Sequence, residues 1–172
     1  MASPSRTASH TGENHSRNSI ESTVYGFIQR AGAFEKAPEG YETKNLISEM
    51  MKDLLKVDRI ERGRIICCLT VVTRVTNPYG TLHGGVVATV AKLVAVACAR
   101  TVVKEDKELR LGEMSISYLS AASVNVELEI DGRIVRSGRN VTTVSVEFRV
   151  KGTKKLVYTA HATFFAEPVP KL

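Results

Sequence analysis

The segment from Asn77 to Gly85, Asn-Pro-Tyr-Gly-Thr-Leu-His-Gly-Gly, carries the residues best suited to chemistry in this chain. It runs directly into an apolar stretch, Val-Val-Ala-Thr-Val-Ala, whose composition predicts a helix. A helix start leaves backbone N–H groups without partners and carries the positive end of the helix dipole. The turn formed by His83, Gly84 and Gly85 is therefore predicted to bind a polarised carbonyl oxygen.

Lys92 complicates this interpretation, because it lies eight residues after Gly84, where the helix could carry a carboxylate that activates water. A protonated lysine has three donors and no acceptor, so it cannot take a proton from water until it loses one itself. Burial would favour its neutral form. Four interpretations of Lys92 stay open: a side chain that reaches solvent or a carboxylate, a contact to an anionic ligand, a neutral base, and a protein that binds without catalysis.

Other polar residues have simpler explanations. His161 falls within a predicted strand, where a structural role is expected. Ser120 precedes a turn, where its hydroxyl is expected to bond nearby backbone. Asn77 stands before a proline, so a turn-forming role and a role in the site are equally well supported.

Composition restricts the class of protein. The chain has 172 residues, 43% hydrophobic and 24% charged, which predicts one globular domain with a sizeable core. The net charge of +6 is scattered and there is no Trp, so no nucleic-acid partner is expected. Lys92 interrupts the longest apolar run, so no membrane span is expected. Three cysteines cannot all pair, and Cys98 is expected to be a core residue. We expect no metal and no cofactor.

The ends of the chain differ from its middle. Residues 1–20 are polar and predict a disordered tail, and residues 21–53 show helical periodicity. Residues 54–167 are expected to form the domain, followed by a tail over 168–172. The final Pro170-Lys171-Leu172 is similar to the Ser-Lys-Leu address and predicts a peroxisomal protein, with a cytoplasmic protein as the alternative.

The element order predicts an α+β fold. Leu55–Arg59 and Arg64–Val75 read as a hairpin, and Gly85 to about Val103 reads as a buried helix. Four long β segments follow, and the short breaks between them predict hairpins between antiparallel neighbours. The segments are Glu108–Ser120, Val124–Arg136, Asn140–Lys151 and Lys155–Glu167. We expect an antiparallel sheet curled around a central helix, with one open face that packs against a partner.

The Asn77 to Gly85 string, together with Met114-Ser-Ile-Ser-Tyr-Leu-Ser120, resembles the hotdog-fold small acyl-CoA thioesterases of the phenylacetate-degradation type. The resemblance covers roughly residues 45–167. It implies a homodimer or homotetramer that hydrolyses acyl-CoA to free acid and CoA, with sites built across a dimer interface. It also implies roles for eight residues. The oxyanion and catalytic positions are Asn77, His83, Gly84 and Lys92, and the substrate and CoA positions are Gly85, Arg139, Asn140 and Lys155.

The chain departs from this family at the carboxylate. The family's acidic position on the central helix falls on Lys92, and the position of its helper serine, counted back from Tyr118 without a gap, falls on Leu111. Glu113 would share a strand face with Leu111 and could pair with Lys92 or act as base, although a solvated carboxylate is simpler. A non-catalytic acyl-CoA binding or regulatory protein is the alternative function. Hotdog hydratases and dehydratases fit less well, since the acid some of them carry on this helix is absent.

Overall fold

The computed structural model describes residues 54–104 and 106–168, which form a six-stranded antiparallel sheet and one long helix. The sheet order is β1-β2-β4-β5-β6-β3. The elements are β1 (Leu55–Glu61), β2 (Arg64–Thr70), α1 (Gly84–Arg100), β3 (Lys107–Tyr118), β4 (Glu127–Ser137), β5 (Val141–Val150) and β6 (Leu156–Pro168). The α+β class predicted from the sequence is confirmed. The predicted N-terminal tail, the helical segment before residue 54 and the C-terminal tripeptide lie outside the described residues.

The first hairpin forms as predicted, with a turn at Gly63, whose φ of +81° suits glycine. Its second strand is shorter than predicted and ends at Thr70 rather than at Val75. Beyond that point the backbone of Val71 bonds to Asn125 and Val126 in the connection before β4. The chain then leaves the sheet and forms a short 3₁₀ helix, Thr73–Val75.

The predicted hairpin between β3 and β4 is wrong. β3 pairs with β6 at the edge of the sheet, whereas β4 lies between β2 and β5. The connection after Tyr118 crosses the sheet and bonds to the loop that precedes α1: Leu82 donates to the Ala122 carbonyl at 2.8 Å and Val124 donates to the Gly80 carbonyl at 3.1 Å. These long-range bonds hold the connection beside the start of α1.

A β-bulge at Gly112 changes which residues of β3 face the helix. Leu111 pairs with Phe164 and Glu113 pairs with Thr163, so Gly112 is an extra residue in the strand. A Cβ built on Gly112 would lie 2.2 Å from the Phe165 ring, which explains the glycine. The bulge reverses the alternation, so the prediction that Glu113 and Leu111 share a face is wrong.

α1 packs on one face of the sheet, chiefly against β4 and β5. It approaches β4 most closely at Gly132, where an added Cβ would lie 2.8 Å from Val94 and 3.1 Å from Ile65. The side of α1 that faces the sheet is fully buried and packs against strand residues such as Phe148 and Phe164. The buried helix residues are Val87, Val90, Ala91, Val94, Ala95, Cys98 and Ala99.

The opposite side of α1 is open in this chain. Its exposed stripe contains Gly85, Lys92, Leu93 and Arg100, and Leu93 is 46% exposed. The sheet of this chain covers one side of the helix, and the predicted open face is present on the other. Among the described residues, no helix is long and apolar enough to cross a membrane.

Candidate active site

The loop that precedes α1 is organised by Asn77. Its side-chain oxygen accepts from the backbone N–H groups of Tyr79 at 3.0 Å and Thr81 at 3.2 Å, and its amide nitrogen donates to the Thr81 hydroxyl at 2.9 Å. The Asn77 carbonyl accepts from Gly80, whose φ is +70°. Asn77 therefore shapes the turn that leads into the site, as Asx residues do.

His83 caps the start of α1. Its Nδ1 accepts from the Gly85 N–H at 3.0 Å, and its carbonyl accepts from Val86 and Val87. The His83 N–H donates to the Val75 carbonyl at 2.9 Å, which ties this residue to the 3₁₀ helix. Because Nδ1 is an acceptor here, the neutral ring carries its proton on Nε2 and has a donor available at its exposed edge.

The Gly84 N–H is available for a ligand. Among the residues that the structure describes, none accepts a hydrogen bond from it, whereas the neighbouring His83 and Gly85 N–H groups are both bonded. Gly84 lines a surface cleft of about 360 Å³. The cleft is lined by Asn77, Thr81, Leu82, Gly84, Tyr118, Leu119, Ser120, Ala121 and Tyr158. The structure thus brings together the predicted site residues Asn77 and Gly84, with His83 at the helix cap, and places Ser120, for which a turn role is expected, in the same cleft.

Tyr118 forms the opposite wall of the cleft. Its hydroxyl donates to the Gly84 carbonyl at 3.1 Å, and a Cβ on Gly84 would lie 3.4 Å from its ring. The ring meets Tyr158 edge-on, with centroids 5.8 Å apart, and Tyr158 meets Phe148 in the same way. Burial raises the pKa of Tyr158, whose oxygen accepts from the Ala122 N–H at 3.1 Å.

Lys92 lies on the exposed stripe of α1, seven residues after Gly85 and so about 10 Å along the helix. No carboxylate among the described residues is within ion-pair distance of its amine. Leu111 is half-buried on the helix side of β3, and the bulge turns Glu113 to the other face. His161 lies on that outer face, between Ser115 and Ser145.

The predicted CoA-binding residues are divided between two ends of the sheet. Lys155 lies in the turn before β6, at the end that holds the cleft. Arg139 and Asn140 lie in the turn before β5, at the opposite end. A second cavity of about 320 Å³ lies beside Arg139. It is lined by Val102, Val103, Lys104, Asp106, Lys107, Ser137, Gly138 and Arg139.

The cysteines take no part in the cleft. Cys67 and Cys98 are fully buried, and burial raises the pKa of each thiol to about 11. Cys68 points to the other face of β2 and is half-buried. The prediction that Cys98 is a core residue is confirmed by its complete burial in the hydrophobic core. A thiol with so high a pKa forms little thiolate near neutral pH.

Comparison with known proteins agrees with this geometry. Residues 79–157 match the family model described as the thioesterase superfamily. The structure of zebrafish thioesterase superfamily member 2 superposes with a TM-score of 0.65 at 22% identity, over 73% of this chain and 88% of that one. The described domain has the hotdog fold. The α+β hotdog fold predicted from the sequence is therefore confirmed.

Three further relatives show how similar this hotdog domain is to others. Acyl-coenzyme A thioesterase 13 from mouse is 29% identical over 127 residues, 67% of this chain and 89% of the relative. A Caenorhabditis elegans relative, an esterase by name, is 29% identical, and the match spans 63% of each chain, less than two thirds of that relative's length. The Streptococcus mutans protein smu.793, solved bound to acetyl-CoA, is 28% identical with a TM-score of 0.58 over 68% of this chain and 91% of that one.

The hotdog site contains two residues whose place sequence reasoning did not recognise. These residues are Tyr118, which on sequence grounds only fixes the register of its strand, and Tyr158, to which the sequence assigns no role. Both are near strand ends and face the helix, and they pair directly across β3 and β6. Alternation along β3 places Tyr118 on the helix side of its strand and could have revealed it, whereas its contact with Tyr158 depends on the pairing of β3 with β6.

Proposed function

We propose that this protein hydrolyses acyl-CoA thioesters to a free acid and CoA, as a hotdog thioesterase of the phenylacetate-degradation type. The observation that carries the proposal is the N–H of Gly84 at the start of α1, which has no acceptor among residues 54–104 and 106–168 and belongs to a residue that lines the cleft. A similar protein has been solved with acetyl-CoA bound, which supports a CoA thioester as the ligand.

The electrophilic half of the reaction follows from this geometry. The thioester oxygen accepts from the Gly84 N–H, and the positive end of the α1 dipole favours the negative charge that develops on it. The neighbouring His83, whose Nδ1 accepts from the Gly85 N–H, carries a second donor, its Nε2–H, at the same helix start. Asn77 acts by holding the loop, since its side chain is already bonded to Tyr79 and Thr81.

Water completes the reaction. It adds to the carbonyl carbon, the carbon–sulfur bond breaks, and the CoA thiolate takes up the proton that the water loses. Lys92 cannot accept that proton while it is charged. General-base help contributes about 10²–10⁴-fold to a rate, so a site that keeps its oxyanion donor retains slower hydrolysis without it.

The protein is proposed to act as a homodimer or a homotetramer. β3 is a twelve-residue edge strand with one unpaired side, and the open stripe of α1 carries the exposed side chain of Leu93. Unpaired edges and exposed apolar side chains are covered when copies associate. A second copy beside β3 and α1 would cover both features at once.

A dimer of this kind would explain why the predicted CoA-binding residues lie at opposite ends of the sheet in one chain. If β3 pairs antiparallel with its copy, the Lys107 end of one strand lies beside the Tyr118 end of the other. The cavity lined by Lys104, Lys107 and Arg139 then approaches the partner's cleft. We propose that this basic cavity, with Asn140, binds phosphates of a CoA whose thioester lies at the other subunit's Gly84, and that Lys155 contributes from the cleft's own chain.

A steady-state assay with a panel of aliphatic and aromatic acyl-CoA thioesters tests the function, with acid release followed by mass spectrometry. Turnover above the uncatalysed rate is expected for at least one thioester. Binding of a non-hydrolysable thioether analogue with no turnover of any thioester would contradict the enzyme and support the alternative, a non-catalytic acyl-CoA binding protein. Lys92 is the observation that favours this alternative.

Lys92→Asp tests whether the missing carboxylate limits the rate. We expect kcat to rise by about 10-fold or more, towards the roughly 10²–10⁴-fold that a well-placed general base contributes. Lys92→Asn is the matched control, because it has the size of aspartate without the base, and its kcat should stay near that of the wild type. A fall in kcat for both variants would show instead that Lys92 takes part in the reaction.

A further inference from the structure

The two glycines at the start of α1 need an external constraint. Gly84 and Gly85 lack side chains, and glycine loses more conformational freedom on ordering than any other residue. A donor must also hold a fixed position to stabilise a developing charge, because a displacement of about 1 Å can cost about 100-fold in rate. On one side of this pair, His83 supplies a constraint through its bond from the Gly85 N–H.

Tyr118 supplies the constraint on the other side. Its hydroxyl donates to the Gly84 carbonyl at 3.1 Å, and that carbonyl belongs to the same peptide unit as the Gly85 N–H. This peptide is therefore held at both ends, by Tyr118 at the oxygen and by His83 at the nitrogen. The Tyr118 ring also lies against the Cα of Gly84.

Tyr118 is 54% exposed, but one edge of its ring rests on the core. Its ring packs edge-on against Tyr158, which is 3% exposed and packs edge-on against the fully buried Phe148. The Tyr158 oxygen accepts from the Ala122 N–H, so this ring is also fixed at its polar end. Aromatic pairs of this geometry have preferred orientations, so the three rings fix the position of the Tyr118 hydroxyl.

We infer that Tyr118 is a positioning residue, which fixes the first turn of α1 so that the Gly84 N–H points at the thioester oxygen. The inference rests on the proposed function in that it assigns Gly84 as the oxyanion donor. Tyr118 itself does not contact the reacting atoms. Its effect passes through the peptide that joins Gly84 and Gly85.

Tyr118→Phe tests the inference, because it removes the hydroxyl and keeps the ring against Gly84 and Tyr158. We expect kcat to fall about 5- to 10-fold, as one lost hydrogen bond implies, with KM changed less than twofold. Tyr79→Phe is the matched control, since this tyrosine is 86% exposed and does not line the cleft, and its kcat should equal that of the wild type. An unchanged kcat in Tyr118→Phe would overturn the inference.

Amide hydrogen exchange separates this inference from the proposed function. In Tyr118→Phe we expect the Gly85 N–H to exchange at least 5-fold faster than in Tyr79→Phe, with the melting temperature unchanged, because its peptide has lost one of its two side-chain anchors. A wild type that hydrolyses no thioester would overturn the proposed function alone, and exchange would then still report the constraint. Equal exchange in the two variants would overturn the inference whatever the activity.

Discussion

At the scale of single residues, the site depends on one backbone group rather than on a reactive side chain. The Gly84 N–H has no acceptor among the described residues, while the N–H groups on either side of it are bonded. His83 has extended backbone angles, φ −64° and ψ 131°, and Gly84 begins the helix. A residue at this first helical position needs no N–H for the helix itself, so the group is free to serve a ligand.

Gly84→Pro removes this donor with little change to the fold. Proline is favoured at the first helical position, and the backbone of His83 already suits a residue that precedes proline. We expect kcat to fall about 10²–10³-fold, as when one oxyanion donor is lost. Gly84→Ala keeps the N–H and places its Cβ in ordinary contact with Tyr118, so it serves as the control. Equal kcat values for the two variants would exclude Gly84 as the donor.

At the scale of elements, the position of α1 on the sheet decides where Gly84 and Tyr118 meet. The helix rests on Gly132 of β4 through Val94, and its first turn reaches the end of β3. A bulge at Gly112 sets which side chains of β3 face the helix. Close packing at Gly132 and the extra residue at Gly112 therefore help to set the geometry of the cleft.

Gly132→Ala is expected to lower the free energy of unfolding by about 1–3 kcal/mol, because the added methyl overlaps Val94 and Ile65 in a closed part of the core. Urea denaturation measures the change. Gly152→Ala is the control and should be neutral, since no atom lies within 4 Å of the position of its Cβ. Adding Val94→Ala should relieve part of the cost of Gly132→Ala; strictly additive losses would argue against the overlap.

At the scale of the whole molecule, the two edges of the sheet differ in what lies beside them. The β3 edge adjoins the cleft and the basic cavity, whereas β1, at the far edge, contributes to neither. Both sides carry an exposed apolar residue, Leu93 on α1 and Val57 on β1. The proposed dimer uses the side with β3 and α1. Substitution by a charged residue should therefore weaken the dimer at Leu93 and leave it intact at Val57.

Leu93→Glu should shift the protein from the dimer or tetramer towards the 18.8 kDa protomer, because a charge would be buried in the proposed interface. Val57→Glu makes the same change at a residue 57% exposed, against 46% for Leu93, and should leave the mass unaltered. Sedimentation velocity measures both. A monomeric wild type, or equal dissociation by both variants, would contradict an interface at β3 and α1.

The sequence by itself determined the class of fold and the start of the site. Alternation and turn residues gave the hairpin of β1 and β2 and the four later strands, and the glycine pair after His83 gave the helix start, because these signals are local. The sequence also shows that the helix position suited to a carboxylate, eight residues after Gly84, is occupied by Lys92. The dimer, the CoA subsites and the consequence of Lys92 for turnover stay predictions.

Only the tertiary structure decided how distant parts of the chain meet. Pairing of β3 with β6 rather than β4, and the bulge at Gly112, reversed two expectations drawn from spacing, since strand order and register depend on contacts across the whole sheet. The same pairing brings Tyr118 and Tyr158 side by side and sets Tyr118 against Gly84. Tyr118 lies far from Gly84 and from Tyr158 in the sequence, and no local pattern encodes these contacts.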